Sequence, residues 1–246
     1  AFDGDVCFMR KDGSPVWARV QGRGVRAHDM AGGTVWILED LTAAREAQQQ
    51  QDWAAIHDPL TQLCNREAFV QRMGVLLAER SARARTPGVE AVDSAEGEGD
   101  GVMLFLDLDH FTVVNDLAGH DAGDDVLRHV ARLLESQVRQ IGWAARLGGD
   151  EFAVVLPGCS LVRGQALAEQ LRAAVQAWEP SYQGRSFTLG VSIGLVVLDA
   201  SLQDVPSVLY AADMACYDAK RAGRNRVETR HADQAAASGR MALGPV

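Results

Sequence analysis

The sequence predicts an α/β (α+β sandwich) fold, and three observations carry that expectation. Apolar runs of strand length, such as Val102 to Leu106, alternate with longer segments whose apolar residues recur every three to four positions. A glycine pair, Gly148-Gly149, separates two further strand-like runs, as a hairpin turn requires. Length is the third: 246 residues suit one large domain, or one of common size plus part of another.

Taken in order, residues 1–42 are short strand-like runs broken by turn signals. Lys11-Asp12-Gly13-Ser14-Pro15 precedes a run from Val16 to Val20, and Gly32-Gly33 precedes Val35 to Leu38. This antiparallel pattern is too small for a stable domain alone. Residues 43–57, rich in Ala, Gln and Glu without Gly or Pro, form a linker helix with Thr42 as its expected N-cap. That helix either pairs with its copy in a dimer or serves as a solvated connector. Residues 58–229 are the main domain, opening with a helix from Arg66 to Ser81 that puts Phe69, Met73, Leu76 and Leu77 on one face. Thr86 to Gly101 carries five acids and no base, and reads as a mobile acidic loop. Val102 to Leu106 is a buried strand, and Ala122 to Gln140 an amphipathic helix. Trp143 to Leu147 and Glu151 to Leu156 form the glycine hairpin. Leu161 to Trp178 is helical, Phe187 to Leu198 a strand or bent strand pair, and Pro206 to Arg221 a helix closed by Gly223. Residues 230–246 read as a disordered tail.

Composition excludes several functions. Acids outnumber bases 33 to 24, a net charge of −9, which disfavours a nucleic-acid coat or an anionic membrane surface. No apolar stretch is long enough to span a bilayer, and no secretory signal opens the chain. Four dispersed cysteines, Cys7, Cys64, Cys159 and Cys216, form no C-x-x-C pair, so reduced thiols and a cytoplasmic location are expected.

The chemistry lies in carboxylates placed at chain reversals. Asp107 and Asp109 close the apolar strand, a favoured place for ligating a hard cation. Asp150 and Glu151 sit on the Gly148-Gly149 hairpin, where missing Cβ atoms let a ligand approach the backbone. If the hairpin lies beside the Asp107 strand, one or two Mg²⁺ ions could bridge the motifs and hold a triphosphate. Taken alone, an acidic hairpin tip is more often a solvated turn.

The assembled order is far more specific. Asp58-Pro59-Leu60-Thr61 leads to Asn65-Arg66, then Asp107-Leu108-Asp109-His110-Phe111, Asn115-Asp116 and Gly119-His120-Asp121-Ala122-Gly123-Asp124. Arg146-Leu147-Gly148-Gly149-Asp150-Glu151-Phe152 follows, then Val191-Ser192-Ile193-Gly194, and finally Ala212-Asp213, Tyr217 and Ala219 to Asn225. This resembles the GGDEF-domain diguanylate cyclases over the main domain. Residues 1–42, through KDGSPVW and VWILEDLT, resemble the C-terminal strands of PAS sensor domains.

The GGDEF resemblance implies a nucleotide-cyclase palm, a central and mostly antiparallel sheet of about five strands wrapped by helices. It implies a homodimer that condenses two GTP into cyclic di-GMP with release of two pyrophosphates. By the same resemblance, Asp107, the Leu108 carbonyl and Glu151 hold Mg²⁺ or Mn²⁺, two per active site. Asp150 accepts the ribose 3′-hydroxyl proton, and Asn115 and Asp124 read the guanine edge. Phe111, Gly148 and Gly149 border the substrate. Lys220 and Arg224, four apart and so expected on one helical face, bind phosphate. Asp109, His110, Asp116 and His120 are expected to hydrogen-bond turns, while Asp58, Asn65 and Arg66 fix the domain's first turn and helix cap.

Two departures from the family pattern stand out. Thr112 follows Phe111 where a phosphate-binding lysine is common. The product-inhibition motif R-x-x-D reads Arg139-Gln140-Ile141-Gly142, leaving Arg139 in a degenerate inhibitory site. Thr112 is also the mark of the competing reading, a catalytically silent module that binds GTP and regulates a partner.

Overall fold

The structure, a computed structural model, describes residues 1–24, 33–84 and 100–230. Gly32, most of the acidic stretch expected over 86–101, and the tail beyond Arg230 lie outside the described residues. The chain divides into two compact units, Ala1–Ala55 and the remainder from Ile56.

In the first unit, β1 (Phe2–Met9), β2 (Pro15–Gly24) and β3 (Thr34–Asp40) form an antiparallel sheet in that order. The β1–β2 turn is closed by Asp12, whose carboxylate accepts from the Ser14 N–H at 2.9 Å and the Ser14 hydroxyl at 2.7 Å. Helix α1 (Thr42–Ala54) follows. Thr42 is not its cap but its first residue. Its N–H donates to Asp40 at 2.8 Å, and its hydroxyl oxygen accepts the Trp17 N–H at 3.0 Å. A strand donor thus captures the oxygen that a free helix end would have used. Arg45 fastens α1 to the sheet, reaching Asp5 at 2.8 Å with its guanidinium 4.1 Å over the Trp17 ring.

The second unit is built on a five-stranded sheet. Its strands are β4 (Val102–Asp109), β5 (Trp143–Gly148), β6 (Glu151–Leu156), β9 (Gly190–Val197) and β10 (Val227–Arg230), in spatial order β10-β9-β4-β6-β5. Only the β9–β10 pair is parallel. The helices are α2 (Arg66–Ala84), α3 (Phe111–Ala118), α4 (His120–Val138), α5 (Leu161–Ala177) and α6 (Val205–Arg221). Strand parity assigns the layers. Val102, Leu104, Leu106 and Leu108 pack with Val126, Val130 and Leu134 of α4 and Leu171 of α5. Met103 and Phe105 pack on the other face with Phe69 and Met73 of α2 and Val208 and Ala212 of α6. Phe69, Met73 and Phe152 are fully buried, and truncating a phenylalanine there would cost about 3–5 kcal/mol.

The α+β class and mostly antiparallel five-stranded sheet agree with expectation, and several details differ. α3 was not anticipated, because Phe111, Val114 and Leu117 span only two turns before Gly119 breaks the helix at φ 88°. The expected helix from Ala122 begins at His120 and ends at Val138. Residues 181–198 contain a small hairpin, β7 (Ser181–Tyr182) with β8 (Arg185–Ser186), ahead of β9. Arg230 belongs to β10 rather than to a tail.

Candidate active site

Register sets the site. Asp107 on β4 lies opposite Glu151 on β6 and opposite Ser192 on β9. By the same parity that places Met103, Phe105, Ala153 and Val155, Asp107 and Glu151 face the layer of α2 and α6. Gly148 (φ 152°) and Gly149 (φ 48°) turn the chain between β5 and β6, a conformation that side chains resist. The Leu108 N–H donates to the Asp150 carbonyl at 3.3 Å, which fastens the hairpin to β4. Arg146 grips the same hairpin, its Nε and Nη2 donating to the Gly149 carbonyl at 3.0 and 2.8 Å. Its Nη1 meets both Asp58 carboxylate oxygens at 3.2 Å.

Asp58 in turn accepts from the Thr61 N–H and hydroxyl at 2.8 and 2.6 Å, closing the domain's first turn. Asn65 accepts from the Ala68 N–H at 2.9 Å and so caps α2. Arg66 reaches the Leu147 carbonyl at 3.4 Å. Asp58 and Asn65 carry the turn and cap duties expected of them, whereas Arg66 reaches across to β5 beside the glycine hairpin and its charge acts on Glu151. The role of Arg146 was not anticipated, though its place beside Gly148-Gly149 offered the signal.

The electrostatics are those of crowded acids. Burial pushes the Asp107 carboxyl above its ordinary value, and Asp150 and Asp109 push the same way. Lys220 opposes them, its ammonium 2.6 Å from Asp107, but does not outweigh burial. Burial likewise raises Glu151, helped by the charges of Asp107, Asp213 and Asp150. Asp213, on α6, belongs to the Ala212-Asp213 step of the ordered motifs, but the sequence assigned it no role. Burial would lower the Lys220 ammonium, yet its bond to Asp107 wins and the group is raised. Burial, with Asp107 nearby, pushes the Cys216 thiol up to about 12, and its S–H donates to the Ser192 carbonyl at 3.2 Å. It is an inert thiol.

Among the described residues, no group of three or more His, Cys, Asp and Glu is placed to cage an ion. Two adjacent carboxylates beside a carbonyl still fit Mg²⁺, which typically takes one or two carboxylates and completes its shell with water and substrate phosphates. Burial first, and neighbouring acids after it, raise both carboxyls against Lys220 and Arg66, a setting that a bound cation would relieve.

Asn115 on α3 lies against Gly123 on α4. A Cβ at Gly123 would fall on the Asn115 carboxamide oxygen and come within 3.1 Å of the Phe111 ring. Phe111, Asn115 and Gly123 are therefore one cluster, with Asp124 next in the chain and 3.7 Å from Arg128. Lys220 and Arg224 do not share a helical face, contrary to the spacing. α6 ends at Arg221, and Arg224 lies beyond it with left-handed backbone at φ 63°. Arg139 stands elsewhere, lining a cleft with Arg72, Glu79 and Gly142 that shares no residue with the carboxylate cluster.

A family model described as "Diguanylate cyclase, GGDEF domain" matches residues 55–226. The chain belongs to the GGDEF family. Similar curated proteins include the probable diguanylate cyclase DgcE of Escherichia coli, 36% identical over 205 residues covering 83% of this chain and 17% of that protein. Diguanylate cyclase DgcP of Pseudomonas aeruginosa is 38% identical over 190 residues, 77% of this chain and 26% of that protein. The GGDEF chain thus spans about a sixth to a quarter of these relatives. Among solved structures, the coiled coil and GGDEF domain of DgcB from Caulobacter crescentus in complex with c-di-GMP matches with TM-score 0.65 at 29% identity, covering 77% of this chain and 93% of that one. Among the described residues of this GGDEF chain, no helix is long and apolar enough to cross a membrane.

Proposed function

We propose that this chain is a diguanylate cyclase, joining two GTP into cyclic di-GMP and two pyrophosphates. The observation that carries the reading is the pairing of Asp107 with Glu151 across β4 and β6, beside a glycine turn bearing Asp150 and with Lys220 on Asp107. Asp107, Glu151 and the Leu108 carbonyl would hold Mg²⁺ or Mn²⁺, two ions per site with the triphosphate. When bound, the metal supplies Lewis-acid stabilisation of charge on the phosphoryl oxygens. Asp150 accepts the ribose 3′-hydroxyl proton. Asn115 and Asp124 read guanine: the carboxylate accepts from N1–H and the 2-amino group, and the amide pairs with O6 or N3. Phe111 packs behind Asn115, and Gly148 and Gly149 let the backbone approach the nucleotide. Lys220 and Arg224 pair with phosphate, and Thr112 contributes a hydroxyl where a lysine is common.

One domain offers one triphosphate site, whereas a cyclic dinucleotide needs two 3′-hydroxyl attacks, so the active species is a homodimer. A GTP-consuming reaction and four free thiols fit the cytoplasm. The three-stranded sheet of residues 1–42 is taken as the closing strands of a PAS-type sensor, and α1 as its output helix. The test is incubation with GTP and Mg²⁺ followed by chromatography of the nucleotides. Cyclic di-GMP is expected from the native chain and none from Asp107→Asn. Unchanged GTP from a folded, dimeric native chain would support the silent module instead.

A further inference from the structure

We propose that Asp109 is a positioning residue for substrate binding, its buried carboxylate fixing the left-handed turn that carries Arg224. The inference rests on reading Arg224 as a phosphate ligand. Asp109 ends β4 and is only 4% exposed. One of its oxygens accepts the Ser192 hydroxyl at 2.7 Å, and the other accepts the Asn225 N–H at 2.8 Å. The turn it grips is unusual. The Gly223 N–H reaches the Lys220 carbonyl at 3.4 Å and the Arg224 N–H the Ala219 carbonyl at 3.0 Å, the two bonds of a Schellman cap on α6. Such a cap needs one left-handed residue, and Gly223 (φ 119°) already departs from ordinary backbone. Here Arg224 (φ 63°) and Asn225 (φ 46°) are left-handed as well, two consecutive residues with side chains in a region that L-amino acids avoid. That geometry persists only where the surroundings over-determine it.

The surroundings converge on Asn225. Arg172 of α5 donates to its side-chain oxygen at 3.2 Å while Asp109 holds its N–H. Gly190, opposite Asp109, leaves the room: a Cβ there would lie 2.8 Å from the carboxylate and 3.2 Å from the Asn225 Cβ. Asp107 and Asp109, two residues apart on β4, thus secure both ends of one segment, the first through Lys220 and the second through Asn225. Without Asp109 the turn relaxes and Arg224 leaves its place.

The test is titration calorimetry of the full chain with 3′-deoxy-GTP and Mg²⁺, a ligand that lacks the attacking hydroxyl and so reports binding alone. Asp109→Ala should weaken binding about tenfold, the loss of one charge-assisted contact. Asp109→Ser, too short to span to Asn225, replaces it if the alanine variant does not fold. Asp109→Asn should restore near-native affinity, since its carboxamide oxygen still accepts from Asn225. Ser192→Ala, which removes the other bond of the same carboxylate, should lower thermal stability and leave affinity unchanged. Arg224→Ala should weaken binding as Asp109→Ala does, and the double variant no further. Native affinity in Asp109→Ala beside a weakened Arg224→Ala overturns the proposal, as does a Ser192→Ala loss equal to that of Asp109→Ala. Native affinity in Arg224→Ala instead overturns the phosphate role on which it rests.

Discussion

Arg146 and Asp58, 88 residues apart in the chain, are joined by two contacts of 3.2 Å, and the same guanidinium holds the Gly149 carbonyl. The first turn of the domain and the glycine hairpin are therefore clasped by one side chain. Both members are largely shielded, at 15% and 18% exposure, so the pair is screened less than a surface bridge.

This pair has a pH signature. Burial pushes Asp58 up, but the bonds from Thr61 and Arg146 together outweigh it and leave the carboxyl below its ordinary value. A carboxyl lowered by folding contributes stability above its unfolded value and loses it as pH falls through the folded one. Asp58→Asn should lower stability by about 1.5–3 kcal/mol at neutral pH, a Tm loss of about 3–12 °C. The gap to the native chain should close in acid, once Asp58 is protonated. Thermal melts across a pH series would check this, and a gap of constant size would count against it.

Gly123→Ala should act on substrate recognition. The added methyl displaces the Asn115 carboxamide, so KM for GTP should rise about tenfold while kcat changes little. Asn115→Ala should mimic it, and combining the two should add nothing. A normal KM in Gly123→Ala would show that the carboxamide does not read the base from that position.

Glu151→Gln should separate activity from stability. A carboxyl raised by folding contributes stability that is lost as pH rises through its folded value, and burial with Asp107, Asp213 and Asp150 raises Glu151 against the opposing Arg66. Removing the charge should raise the Tm of the metal-free protein while turnover is lost, the usual exchange at a functional site. A lowered Tm in calorimetry would mean that Glu151 is compensated within the fold.

Feedback by the product should be weak. Arg139 remains, yet the position of the motif's aspartate is Gly142, where any Cβ would fall on the Val155 carbonyl. Low-micromolar cyclic di-GMP should leave initial rates nearly unchanged, and Gly142→Asp should destabilise the domain rather than create a site. Tight inhibition abolished by Arg139→Ala would contradict this.

Much of the architecture was legible because it rests on local pattern. The continuous apolar run of β4, the Gly148-Gly149 turn and the face formed by Phe69, Met73 and Leu77 are written in nearby residues. What escaped depends on partners far away in the chain. Arg146 takes meaning from Asp58, 88 residues away, and Asp109 from Asn225 at a separation of 116. Helical spacing misled at Lys220 and Arg224, because the cap at Gly223 ends the helix between them.

The alternation of β4 has an evolutionary consequence. Odd positions serve the α2 and α6 layer and even positions the α4 and α5 layer. On the proposed reading, Asp107, Glu151 and Lys220 belong to the first layer, and Asp124 and Gly123 of the base-reading cluster to the second. The two traits can then drift by substitution on opposite sides of the sheet, so a relative could change its nucleobase preference without disturbing its metal carboxylates, or lose them and fall silent while still recognising guanine.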